Sequence, residues 1–144
     1  MIKNERQYRI TMTQAQKFRE ALRALTTEKG RGKGIHQKLK KAQVDAMRSQ
    51  LAELETEIQD YEALQSGTKK VLDLDSFDEF PRALIEARIA AHLSQRELAD
   101  RLGLKEQQIQ RYEATDYASA SFSRMKEVVK ALGMEVKEQV VLAK

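Results

Sequence analysis

The chain has 144 residues, 33% of them charged and 6% aromatic, which suits a helix-rich protein with a thin core better than an enzyme with a deep cleft. It contains no cysteine, which excludes disulfides, thiolate metal sites and cysteine nucleophiles. The net charge of +4 is compatible with a polyanionic partner, and no apolar run approaches the roughly 18 residues of a membrane span.

Met1-Ile2-Lys3-Asn4-Glu5-Arg6 lacks the apolar stretch of a signal peptide, so a cytoplasmic location is expected. From about residue 12 to residue 65 the pattern is helical and free of proline. Thr13 suits the cap of a first helix, with Ala15, Phe18, Leu22 and Leu25 on one face at i, i+3, i+7, i+10. Lys29-Gly30-Arg31-Gly32-Lys33-Gly34 then breaks it, because closely spaced glycines make continued helix costly.

A second helix is predicted from residue 35 to about 65. Val44, Met47, Leu51, Leu54, Ile58 and Tyr61 alternate steps of three and four, the seam of a coiled coil. Two compatible readings remain open. The seam can close an antiparallel helical hairpin by receiving Phe18, Leu22 and Leu25, or it can join a second copy or a partner protein.

Ser66-Gly67-Thr68 ends that helix and marks a boundary between an arm (1–66) and a linker (67–80). The acidic residues Asp73, Asp75, Asp78 and Glu79 follow, and such a segment belongs away from phosphates. Pro81 suits the first turn of a new helix, whose N–H groups lack partners in any case. It opens a further domain, 81–144.

Within that domain Ala83, Leu84, Ala87 and Ile89 supply one apolar face. Leu93-Ser94-Gln95-Arg96-Glu97-Leu98 combines an N-cap (Ser94), a capping box (Glu97) and a hydrophobic staple (Leu93 with Leu98). Gly103 follows as a helix stop. A helix from about 106 to 114 directs Ile109 and Tyr112 inward and presents Gln107, Gln110, Arg111 and Ala114 on the opposite face. Two helices joined by a glycine-containing turn, the second with an amide-and-arginine face, make a helix-turn-helix. Glutamine pairs with adenine and arginine with guanine in the major groove.

Residues 82–133 resemble the Xre (Cro and phage-repressor) helix-turn-helix family at Arg88, Leu93-Ser94-Gln95, Glu97-Leu98-Ala99, Leu102-Gly103-Leu104, Ile109, Glu113 and Ala131-Leu132-Gly133. The resemblance implies an all-α fold, with the hairpin or coiled-coil arm followed by a four- to five-helix domain. It implies that Gln95 contacts a phosphate and braces a side chain of the reading helix. Glu106, Gln107 and Arg111 would read bases, flanked by Gln108 and Gln110. Arg88 and Glu113 would form a buried structural salt bridge rather than touch DNA.

The chain departs from the family at several points. His92 stands where glycine is usual and must tolerate a positive φ. Lys105 replaces the usual Ser/Thr cap and can reach a phosphate, as can Arg96. Glu106 must meet a cytosine amine or suffer repulsion. The loop 115–121 is long and lacks the common glycine after Glu113. Tyr117, Ser119, Ser121 and Arg124 are assigned to backbone contacts by position alone.

From Lys69 to Lys144 thirteen basic residues balance thirteen acidic ones, so the charge excess lies in the arm. A formally neutral reader gains little affinity from phosphate neutralisation, and a dimer on two half-sites is the usual remedy. The tail 134–142, with Val136, Val140 and Val141, reads either as a short strand or as packing on the last helix. His36 and His92 lie far apart with no carboxylate at ligand spacing, so neither a metal nor a cofactor is expected.

These features predict a sequence-specific transcriptional regulator, a dimeric repressor reading double-stranded operator DNA. No Ser/His/Asp set occurs, and Gly30-Arg31-Gly32-Lys33-Gly34-Ile35 lacks the Lys-Ser/Thr ending of a phosphate-binding loop, so no enzyme is expected. The alternative is an antitoxin whose arm neutralises a RelE-like toxin while the helix-turn-helix autoregulates the operon. Ile2-Lys3-Asn4-Glu5-Arg6-Gln7-Tyr8 and the helical arm after it resemble Hig-type antitoxins. A third reading confines the helix-turn-helix to protein contacts.

Overall fold

The computed structural model describes residues 1–27 and 35–143. The glycine-rich break expected at 29–34 lies outside them. All regular structure among the described residues is helical: α1 (Glu5–Thr27), α2 (Ile35–Gln65), a 3-10 turn (Phe77–Glu79), α3 (Phe80–Ala90), α4 (Gln95–Leu102), α5 (Glu106–Ala114) and α6 (Phe122–Leu132). No helix among them is long and apolar enough to cross a membrane. The chain divides into two compact units, Met1–Ala63 and Leu64–Lys144.

In the first unit α1 begins well before the expected cap. Asn4 Oδ1 accepts from the Gln7 N–H (2.9 Å), and Gln7 Oε1 accepts from the Lys3 N–H (2.8 Å). These bonds satisfy end donors that a helix cannot pair internally. Thr13 instead sits inside the helix, where its hydroxyl donates to the Arg9 carbonyl. The predicted apolar stripe points inward, with Ala15 and Leu22 buried and Phe18 and Leu25 half-buried.

The α2 seam meets that stripe. Val44, Ile58 and Tyr61 are buried, and Met47, Leu51 and Leu54 are half-buried. Tyr61 stacks on Tyr8 (4.9 Å), whose hydroxyl donates to Glu62 (2.6 Å), and Arg19 pairs with Glu55 (3.2 Å). These contacts make an antiparallel hairpin. The hairpin reading of the seam is thus realised within the chain, while Met47, Leu51 and Leu54 keep part of their surface exposed.

In the second unit Pro81 lies in the first turn of α3. The core gathers Phe80, Ala83, Leu84, Ile85, Ile89, Leu98, Ala99, Ile109, Tyr117 and Val128. α6 packs on α3 and α4, and α4 packs on α5. The alternative of a strand over 134–142 is not realised. The tail to residue 143 has no regular structure, and Val140, Val141 and Leu142 are more than three-quarters exposed. A strand needs a ladder partner, and this helical unit offers no sheet edge.

Candidate nucleic-acid interface

The start of α4 is fixed by its own side chains. Ser94 Oγ accepts from the Glu97 N–H (3.1 Å) and Glu97 Oε2 accepts from the Ser94 N–H (2.7 Å). The bond from the Ser94 backbone, with that from its side chain, holds the Glu97 carboxyl below the usual range. At the far end Gly103 takes φ 67°, and the Leu104 N–H reaches the Ala99 carbonyl (2.8 Å). This left-handed closure sets the angle at which the chain enters α5.

The same closure recurs without glycine. His92 takes φ 57°, with the Leu93 N–H on the Arg88 carbonyl (3.1 Å). Asp116 takes φ 48°, with the Tyr117 N–H on the Tyr112 carbonyl (2.6 Å). The missing glycine after Glu113 is thus replaced by an aspartate, a residue that visits the left-handed region more readily than most. That substitution was the signal for this turn, and the sequence reading passed over it.

Ile109 and Glu113 bury the inner side of α5. The opposite side is open: Glu106, Gln107, Gln108, Gln110, Arg111 and Ala114 are exposed. Gln107, Gln110, Arg111 and Ala114 share one face, as the i, i+3, i+4, i+7 spacing requires. Arg111 has no ion-pair partner among the described residues. Two neighbours are partly committed. Gln108 Oε1 accepts from the Lys105 N–H (3.3 Å), the reciprocal half of a capping box whose Ser/Thr half is absent, and Gln110 Nε2 donates to Glu106 Oε1 (3.4 Å). Arg96, at the start of α4, and Lys105, just before α5, are exposed.

Behind this face lies a buried charge network. The Arg88 guanidinium donates through Nε (2.5 Å) and Nη2 (2.9 Å) to the Glu113 carboxylate and through Nη1 to the Leu93 carbonyl (2.7 Å). Gln95 Nε2 donates to Glu113 Oε2 (2.8 Å). Arg88 and Glu113 are at most 3% exposed. The Glu113 carboxylate thereby ties α3 and the first residue of α4 to the inner side of α5, and Arg88 holds the turn. Gln95 thus braces Glu113, a side chain of α5 on its inner side.

Of the residues assigned to backbone contacts, Tyr117 is placed in the core, while Ser121 and Arg124 stand at the start of α6 with local partners. Tyr117 is 2% exposed and stacks on Tyr112 (5.6 Å) as part of the core. The Ser121 hydroxyl caps α6, accepting from the Arg124 N–H (3.0 Å). Arg124 pairs with Glu127 (2.7 Å) along the same helix. Ser119 is exposed on the loop. Arg101 donates to the Ala131 carbonyl at the end of α6 (3.0 Å).

Residues 84–139 match a helix-turn-helix family model. No curated protein and no solved structure matches the chain.

Proposed function

We propose that this chain, whose residues 84–139 match a helix-turn-helix family model, is a sequence-specific DNA-binding repressor that reads its operator as a dimer. The observation that carries this reading is the exposed α5 face with an unpaired Arg111, braced from behind by the Arg88–Glu113–Gln95 network. Arginine is the commonest bidentate reader of guanine, and glutamine pairs likewise with adenine. A rigid support makes such contacts selective, because a misplaced fork loses both bonds.

Dimerisation follows from the charge balance. The segment Lys69–Lys144 is formally neutral, so one domain neutralises few phosphates and two half-sites are needed for firm binding. Repression by occupancy is the simplest outcome for a small reader seated on a promoter.

Fluorescence anisotropy on DNA from the chain's own upstream region, beside a scrambled duplex, tests the reading. Arg111→Ala should lower the preference for the upstream sequence by about 10- to 100-fold, the worth of one bidentate pair. Equal binding of the unmodified protein to both duplexes, unchanged by the substitution, would remove α5 as the reader.

A further inference from the structure

Charge is segregated along the arm. The distal stretch, residues 17–48, holds ten basic and three acidic residues. Residues 1–16 and 49–65 together hold three basic and six acidic ones. Because the hairpin is antiparallel, both strongly basic portions, the end of α1 and the start of α2, lie at the same end.

Part of that charge is ordered into a row. The Arg19–Glu55 pair (3.2 Å) marks one flank of the hairpin. Arg48 and Lys41 precede Glu55 by one and two heptads, so they repeat its position on α2 about every 10 Å. Arg23 lies one turn beyond Arg19 toward the same end of α1. Arg23, Lys41 and Arg48 are exposed and have no ion-pair partner among the described residues. Asp45 and Glu20 are the acids among them, both exposed.

We propose that this flank, Arg23, Lys41 and Arg48, is a second nucleic-acid contact that grips the phosphate backbone of duplex DNA without reading bases. Three features favour a phosphate partner. The cations are spaced along a rigid rod and face solvent. Exposed like charges at one end of a hairpin repel one another and do nothing for folding. The compact unit that holds the reader, Leu64–Lys144, carries no net charge, and phosphate neutralisation supplies most sequence-independent affinity. The arm thus provides strength, and α5 provides choice. This division rests on the DNA-reading function proposed for α5, although the arm's cations can be tested without it.

The test measures binding of the full chain to the upstream and scrambled duplexes between about 50 and about 200 mM salt. The triple variant Arg23→Gln/Lys41→Gln/Arg48→Gln should flatten the slope of log affinity against log salt by about 2 to 3, roughly 0.9 per lost phosphate contact. Both duplexes should weaken by the same factor, leaving the sequence preference intact. The charge-preserving variant Arg23→Lys/Arg48→Lys should keep the native slope. Far-UV circular dichroism of each variant shows whether the hairpin is retained.

A native slope in a folded triple variant overturns the proposal. Arg111→Ala separates the two claims. Lost preference with a native slope supports the reader and leaves the arm to be judged by its own variant. A flattened slope in the triple variant, with no preference to lose in Arg111→Ala, supports the arm and removes the reader.

Discussion

In the arm, two long helices hold together through contacts strung along their length: the Tyr8–Tyr61 stack, the Arg19–Glu55 pair and a stripe from Ala15 to Leu22 set against Val44 and Ile58. In the domain from Leu64 onward no helix exceeds eleven residues, and helices so short are marginal in isolation. Their ends are specified residue by residue instead. Ser94 and Ser121 cap two starts, and left-handed turns at His92, Gly103, Asp116 and Gly133 close four ends. A buried arginine–carboxylate pair links α3 to α5. Long helices can rely on a repeated face. Short helices at fixed angles need their joints defined, and a base-reading surface needs fixed angles.

The comparison breaks most visibly at Glu113. Removing it strands Arg88, which is 3% exposed, and withdraws the acceptor of Gln95. Leaving one partner of a buried pair uncompensated costs about 3–5 kcal/mol. Glu113→Ala should therefore lower the urea midpoint of the domain sharply and reduce amide protection in α5, as hydrogen exchange would report. A loss below about 1 kcal/mol would mean that the pair does not support the reading helix.

A smaller effect sharpens the contrast from the side of the arm. Tyr61 is 4% exposed and stacks on Tyr8, so Tyr61→Ala removes a large buried aromatic at a cost of about 3 kcal/mol. Asn4→Ala removes only the α1 cap, worth about 1 kcal/mol. Denaturant titration of both variants should rank them in that order. The reverse order would show that end capping, rather than the repeated face, holds the hairpin.

What the sequence revealed follows the same division. In the domain, Ser94, Glu97, Leu98 and Gly103 are local signals that need no knowledge of partners, and α4 and its turn were legible from them. His92 was legible too, because a residue in a glycine position must still adopt the turn. In the arm, periodicity located the apolar faces of α1 and α2 but could not say whether α2 meets α1 or another chain, since both partners would present the same stripe. The start of α1 was misread because Thr13 has the chemistry of a cap while the capping side chain is Asn4. Tyr117 was misread for a related reason. A tyrosine suits phosphate contacts, but the turn at Asp116 carries Tyr117 inward.

Tyr117 also supports the smallest effect and the one opposite in sign. Its ring fills core space, yet its hydroxyl is buried with no hydrogen-bond partner among the described residues. An unpaired buried hydroxyl costs roughly 1 kcal/mol in protein cores, whereas a ring without it packs at no such cost. Tyr117→Phe should therefore be neutral or stabilising by up to about 1 kcal/mol. Burial, with the nearby Glu113 carboxylate second, pushes the phenol well above its ordinary value of 10.0. A raised folded value means that the unfolded chain loses its proton first as pH rises. The associated stability is complete below about pH 10 and is lost as pH climbs from there toward the folded value. The variant has no such proton to lose, so its advantage over the native protein should widen above about pH 10 in thermal unfolding followed by circular dichroism. If the two curves stay parallel through that range, the phenol is not confined to the core, and Tyr117 returns to the surface as a candidate for backbone contact.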